Sequence, residues 1–337
     1  MTSAMKASTL ARFTQFLGPR DGALRTAARQ LVARVVCARH GAHVSFLGKA
    51  IEISKDTRVV RIASHHFAHN IIHPVFVAEH FDDYFSRSPV APIKEQGRLI
   101  VDYSRPRLQR YVSSGLEFEL SSFPEEESAL AEYFRWYTPK PGDTVFDVGA
   151  YCGVSSYHFS QLVGMTGKVY AFEPDPLNFS LLKRNIQRHK LTNVVPLQMA
   201  ISDSVGSAEF LGDGMLESAL VSIGSGLVAH SNRVYDRPSV QVKTITFREA
   251  CESYGLPVFV KIDIEGSEIA VLASAAEFLK SHPTIHFTLD TSHVVNGELT
   301  RGAVEKTFQS CNYEVESSDQ CGIMTTWARP AAISRAT

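Results

Sequence analysis

Residues 144–173 constrain the fold of this chain more than any other stretch. Thr144-Val145-Phe146-Asp147-Val148 is an apolar run too short for a helix and bounded by Pro141-Gly142, so it predicts a buried strand. Gly149-Ala150-Tyr151-Cys152-Gly153 then reads as a tight turn, and residues 154–163 have a helical spacing that Gly164 and Gly167 stop. Lys168-Val169-Tyr170-Ala171-Phe172 is a second buried strand, ended by Glu173-Pro174. A strand, a glycine turn, a helix and a second strand tipped by a carboxylate form the unit with which a doubly wound sheet holds an adenosyl nucleoside. The glycines let the backbone approach the ligand, and Glu173, 20 residues beyond Gly153, can accept from both ribose hydroxyls.

The turn also selects among adenosyl ligands. A dinucleotide fingerprint needs a middle glycine so that a pyrophosphate can lie against the backbone. Here Tyr151 holds that position and the spacing is G-x-x-x-G, which fits a ligand without phosphates; S-adenosylmethionine is the common one. Asp147, just before the turn, is placed to receive the methionine ammonium or to anchor the turn's amides. The candidate cofactor contacts are therefore Asp147, Gly149, Ala150, Tyr151, Gly153, Glu173 and Pro174.

Bulk properties exclude several classes. A net charge of −1 over 337 residues argues against nucleic-acid binding, because a protein that tracks phosphates is usually strongly basic. Apolar content of 44% and charged content of 20% suit a chain that buries a core, as one large domain or one domain with an extension. The five cysteines (Cys37, Cys152, Cys251, Cys311, Cys321) are scattered without a C-x-x-C pair, which suits a reducing compartment and gives no zinc framework. No apolar stretch is long enough to cross a bilayer, so a cytoplasmic protein is expected.

Charge is unevenly distributed. Residues 1–50 hold eight basic side chains against the single Asp21, a net +7. Residues 23–36 predict an amphipathic helix with Leu24, Ala27, Ala28, Leu31, Val32 and Val35 on one side. It can act as a membrane-peripheral arm, or pack that side on its own domain and leave a solvated basic face, which is the commoner outcome. Short strands are expected at 44–47 and 58–62, and an aromatic-rich helix at 76–85. Between them His65, His66, His69, His73 and His80 cluster near Asp82 and Asp83, with some i,i+4 spacings. Pro74 interrupts the pattern and no cysteine joins it, so no dedicated metal site is expected there.

Strands at 98–103 and 116–120 and a helix from 123 to 137 lead to a hinge at Pro139-Lys140-Pro141-Gly142. Beyond Glu173, helices and strands alternate: a helix at 176–190 capped by Asp175, strands at 194–199 and 240–243, a helix at 246–254, and a very apolar strand at 258–262 ending in Asp263. A helix at 268–280 and a strand at 284–289 ending in Asp290 follow, then a helix at 299–310 and strands at 313–316 and 323–327. The last two strands have no helix between them, so one must run antiparallel. Residues 212–238 are rich in Gly and Ser, lack periodicity, and read as a mobile active-site loop. The expected organisation is a basic helical arm (1–50), an α+β extension on the acceptor side (51–135) and a cofactor domain (136–330).

Four groups of residues together resemble the FkbM family of S-adenosylmethionine-dependent methyltransferases. They are Asp147-Val148-Gly149-Ala150-x-x-Gly153, Phe172-Glu173-Pro174-Asp175-Pro176, Asn178 with Asn185, and Lys261-Ile262-Asp263-Ile264-Glu265-Gly266-Ser267-Glu268. The resemblance covers about residues 140–290. It implies an α/β fold, a Rossmann-like seven-stranded methyltransferase sheet, mostly parallel with one antiparallel strand and helices on both faces. It also implies O-methylation of a hydroxyl on a sugar, glycolipid or natural-product acceptor. The chain departs from the family at Thr246-Phe247, where Leu-Asp is common, and at Phe287-Thr288-Leu289-Asp290 in the fifth strand.

Ligands bind outside the carboxyl ends of parallel strands, so strand ends nominate the rest of the site. Ser202 and Asp203 follow the third strand, and Asp203 is the natural partner of an adenine amino group or else a turn cap. Asp263 and Glu265 follow the fourth strand and can place the acceptor or take its proton; Glu265 can instead orient the Gly266 turn. A sugar hydroxyl needs a general base or a metal ion to become nucleophilic. His293 is the candidate base, oriented by Asp263 or Asp290, and this metal-free reading is preferred to Mg2+ held by Asp263, Glu265 and Asp290. An NAD(P)-dependent oxidoreductase and a non-catalytic binding protein on the same fold are the competing classes.

Overall fold

The computed structural model describes residues 23–64, 72–86, 88–111, 114–121, 127–212, 219–220, 222–223, 226–227, 239–320 and 323–331. The chain divides into two compact units, 1–125 with 231–236, and 126–230 with 237–337.

In the first unit, helix α1 (Ala23–Ala38) precedes a meander of β1 (His43–Leu47), β2 (Ala50–Lys55) and β3 (Arg58–Ala63). Helices α2 (Ile72–Glu79) and α3 (Phe81–Ser86) follow, then β4 (Ile93–Glu95) and β5 (Arg98–Tyr103). The sheet order is β1-β2-β3-β5-β4, and only the β3–β5 pairing is parallel. The helix expected at 76–85 is two helices that break at His80. A hairpin of β6 (Arg107–Arg110) and β7 (Glu117–Leu120) stands apart from the sheet. Of the histidine cluster, His65, His66 and His69 lie outside the described residues.

The face of α1 that is buried is not the one the apolar count predicts. Ala33, Val36, Cys37 and Arg29 are buried, and Ala33, Val36 and Cys37 join one apolar cluster with Val44, Ile51 and Ile53. Leu24, Leu31 and Val35 point to solvent instead.

The second unit begins with a 3-10 helix, Glu127–Phe134, where an α-helix was expected; residues 122–126 lie outside the described residues. Its main sheet consists of β8 (Thr144–Val148), β9 (Lys168–Phe172), β10 (Val194–Leu197), β14 (Phe259–Ile262), β15 (His286–Asp290), β16 (Tyr313–Gln320) and β17 (Ile323–Pro330). Their order is β10-β9-β8-β14-β15-β17-β16. The pairings from β10 to β15 are parallel, and β17 runs antiparallel to both neighbours. This is the α/β sheet expected, with the chain reversing direction between β8–β9–β10 and β14–β15, which leaves a crevice at the carboxyl ends of β8 and β14.

Helices cover both faces. On one, α4 (Val154–Val163) and α5 (Pro176–Arg188) bury Phe159, Val163 and Leu182 with Val145, Val169 and Phe259. On the other, α6 (Phe247–Tyr254), α7 (Glu268–Ser281) and α8 (Arg301–Ser310) bury Phe247, Val271, Leu272, Phe278, Val304 and Phe308 with Phe146, Ile262 and Phe287. Asp175 caps α5 by accepting from the amides of Leu177 and Asn178, and Thr246 and Glu249 close a capping box on α6. A smaller sheet joins β11 (Ala200–Ser202) and β12 (Gly206–Leu211) to β13 (Ser239–Thr246). Residues 212–238 lie largely outside the described residues. Among the described residues no helix is long and apolar enough to cross a membrane.

Candidate active site

The β8 strand ends in a turn that only glycine can make. Gly149 has φ +80, and a Cβ there would sit 1.9 Å from the Asp263 carbonyl oxygen. Its amide and that of Ala150 both donate to the Phe172 carbonyl at 3.0 Å, which ties the turn to the tip of β9. Tyr151 is also left-handed, at φ +51. Gly153, at φ +90, lies against Leu182 of α5.

Glu173 at the tip of β9 is buried, with one amide on each oxygen: Tyr151 N to Oε2 at 2.8 Å and Asp175 N to Oε1 at 2.9 Å. Burial and neighbouring Asp175 push its pKa up to about 8, against the pull of those two amides. Each oxygen keeps a lone pair for a further donor. Pro174 follows it, and the buried Ser202 donates to Oδ1 of the half-buried Asp203 at 3.2 Å.

Asp147 is completely buried and meets side chains, not the turn's amides. Its Oδ2 accepts from Ser155 at 2.7 Å and Ser156 at 2.5 Å, both in the first turn of α4. Through that oxygen it anchors the helix start. Its other oxygen faces Lys261 Nζ at 3.7 Å. Lys261 stands directly across from it on β14, donates to the Gly149 carbonyl at 2.7 Å, and lies 3.7 Å from Asp263 Oδ2. One buried cation thus spans the glycine turn and the tip of the next strand. A lysine inside the apolar run 258–262 was the signal for it in the sequence.

Beyond β14, Glu265 and Gly266 turn through φ +54 and +97 and deliver Glu268 to the start of α7. Glu268 is fully buried. Its Oε1 accepts from His293 Nδ1 at 2.7 Å and from Thr300 Oγ1 at 2.9 Å, while Oε2 accepts from the Gly266 amide at 2.9 Å. The orienting carboxylate of His293 is therefore Glu268, not Asp263 or Asp290. Asp290 is engaged with its own turn, accepting from the amide and hydroxyl of Ser292. The signal for Glu268 was weak, because an acid at a helix start reads as a dipole partner.

The other nitrogen, His293 Nε2, points between Asp263 Oδ1 at 3.7 Å and Glu265 Oε2 at 3.6 Å. Burial opposes the imidazolium, but the Glu268 and Glu265 carboxylates outweigh it and hold the His293 pKa well above the histidine range. Burial raises the pKa of Glu265, with His293 opposing and Asp263 and Asp290 reinforcing. Asp290 is raised for the same reasons. Asp263, Asp290 and His293 offer ligand atoms within 4.8 Å of one another, a spacing that can hold a metal ion.

The family model of the methyltransferase FkbM domain matches residues 147–315. Hexuronic acid methyltransferase AglP of Haloferax volcanii is 31% identical over 141 residues, covering 41% of this chain and 52% of AglP. The 31-O-demethyl-FK506 methyltransferase FkbM of Streptomyces tacrolimicus is 28% identical over 186 residues, 48% of this chain and 69% of that protein. The chain thus spans about half the length of the first relative and about two thirds of the second. Among solved structures, a methyltransferase FkbM from Methylobacillus flagellatus is similar over 89% of this chain and 59% of its own, at TM-score 0.40 and 12% identity.

Proposed function

Because the chain belongs to the family of the methyltransferase FkbM domain, we propose that it moves the methyl group of S-adenosylmethionine to a hydroxyl oxygen of a small acceptor, a sugar or a lipid-linked or natural-product saccharide. The observation that carries the hydroxyl reading is the buried Glu268–His293 pair, whose other nitrogen lies between Asp263 and Glu265 at the strand tip next to the glycine turn.

The residues present fit the cofactor. Glu173 keeps one lone pair on each oxygen for the two ribose hydroxyls, and the side-chain-free Gly149 lets an adenosyl group approach. Tyr151 in place of a middle glycine disfavours a dinucleotide. When bound, the cofactor would supply a methyl group on its sulfonium, the C–S bond breaking in line as the C–O bond forms and the neutral thioether leaving. The chain's work is then positioning and proton transfer. His293 Nε2 receives the hydroxyl proton, Glu268 fixes the imidazole and stabilises the imidazolium, and Asp263 and Glu265 align the acceptor. Since surrounding carboxylates favour the imidazolium, kcat/KM should rise with pH through a value above the ordinary histidine range of about 6.5.

A cation among Asp263, Asp290 and His293 would occupy Nε2 and displace it from the acceptor's proton, so the two readings exclude one another. Calorimetry with S-adenosylhomocysteine and NAD, followed by mass spectrometry of acceptors incubated with the enzyme and chelator, tests the proposal. Binding of S-adenosylhomocysteine and gain of one methyl group in chelator support it. Binding of NAD alone, or activity restored only by added metal, overturns the corresponding part.

A further inference from the structure

Helix α1 wears its apolar side chains outward. Leu24, Leu31 and Val35 are 75%, 60% and 48% exposed, and Ala27 and Ala38 between and beyond them are exposed too. Steps of three and four residues put these five positions on one line along the helix, over about 21 Å. The opposite face, centred on Ala33 and Cys37, is the one its own unit covers. A helix needing only to close its domain would turn its leucines inward. This one spends small residues on the core and displays branched ones.

Charge completes the pattern. Arg34, exposed and lying 5.0 Å over the Phe46 ring, borders the stripe on one side, and exposed Arg39 stands at its carboxyl end. From residue 23 to residue 51 there are five basic side chains and no acidic one, within a chain of net charge −1. We propose that this outer face of α1 docks on an anionic lipid surface, with the aliphatic stripe entering the headgroup boundary and the arginines meeting phosphates. An apolar ridge bordered by arginines, on a segment that carries no acid, is the arrangement that binds in the plane of such an interface. A second copy of the chain is disfavoured as occupant, since pairing two such faces would bring like charges together. The inference is independent of the methyl-transfer reading, although a lipid-linked acceptor would be presented at the same surface.

Flotation of the full chain with phosphatidylcholine vesicles, with and without phosphatidylglycerol, tests it. The protein should float with the anionic vesicles, weakly or not at all with the neutral ones, and less as salt rises. L31E/V35E should stop flotation without changing the melting temperature, since both side chains are already solvated. R34Q/R39Q should weaken it on the order of tenfold. Failure to float with anionic vesicles overturns the proposal, as does undiminished flotation of L31E/V35E. A parent that ignores vesicles but sediments as a dimer, turned monomeric by L31E/V35E, would assign the face to a second copy instead.

Discussion

The two halves of the candidate site surround their buried carboxylates differently. On the proposed cofactor half, Glu173 has a backbone amide on each oxygen, and Asp147 has two serine hydroxyls and a lysine nearby. On the acceptor half, Asp263, Glu265, Glu268 and Asp290 crowd around a single imidazole, and burial together with mutual repulsion raises Glu265 and Asp290. In the first half burial raises Glu173 and Asp147 as well, but each carboxylate meets its own backbone or side-chain donors. In the second, several carboxylates share one imidazole, and a proton on His293 offsets their charge; the proposed acid–base chemistry would move that proton.

The sharpest break in this contrast is His293→Ala. Loss of a general base should lower kcat by roughly 10²–10⁴-fold. Affinity for S-adenosylhomocysteine should stay near the parent value, because the cofactor half does not depend on the imidazole. A variant with full rate in single-turnover measurement would remove His293 from the chemistry. One with lost affinity would erase the division between the halves.

Lys261→Met attacks the join. It leaves Asp147 buried without its only cationic neighbour among the described residues, and breaking a buried pair costs about 3–5 kcal/mol. Burial already pushes Asp147 upward, with Lys261 the leading opposing influence. Urea unfolding should report the loss, and adding Asp147→Asn should recover most of the stability. If Lys261 also positions the Gly149 carbonyl and Asp263, the stable double variant will still bind S-adenosylhomocysteine weakly. Full recovery of binding would reduce the lysine to a structural counter-ion.

How much of this was legible in the sequence follows from how local each feature is. The unit that starts the sheet could be read because strand, glycine turn, helix and tip carboxylate occupy one run of 30 residues, 144–173. The antiparallel β17 could be read from two strands without a helix between them. The Glu268–His293 bond joins residues 25 apart that meet only once β14 and β15 pair, so spacing could not reveal it. That Ser155 and Ser156 take one oxygen of Asp147 was equally hidden, because it depends on how α4 starts against β8. The inverted α1 failed for a different reason. Counting apolar residues measures how wide a stripe is, but shape decides which face fits, and Ala33, Val36 and Cys37 fit more closely than Leu24 and Leu31.

Glu173→Ala sharpens the comparison from the cofactor side. It removes two charge-assisted hydrogen bonds and should weaken S-adenosylhomocysteine by about 2–4 kcal/mol. The parent's affinity should also depend on pH. With Glu173 raised to about 8, the better acceptor, the carboxylate, forms as pH rises through that value, so binding should tighten there. Calorimetry across that range checks both, and Glu173→Gln should lose the pH dependence while keeping part of the affinity.

The smallest effect is expected from Glu268→Gln, and it separates orientation from charge. The amide oxygen can still accept from His293 Nδ1–H and the Thr300 hydroxyl, so the imidazole should keep its orientation and the rate at high pH should fall only several-fold. The negative charge that favours the imidazolium is gone, however. The His293 pKa should therefore fall, the neutral base should form at lower pH, and the rising limb of kcat/KM should move toward the ordinary histidine value of about 6.5. The new amide nitrogen would face the Gly266 N–H, one donor against another, at a cost of about 1–3 kcal/mol in stability. A melting curve and a pH–rate profile read these two effects separately. If the limb does not move while stability drops, Glu268 holds the Gly266 turn and has no part in setting the charge of His293.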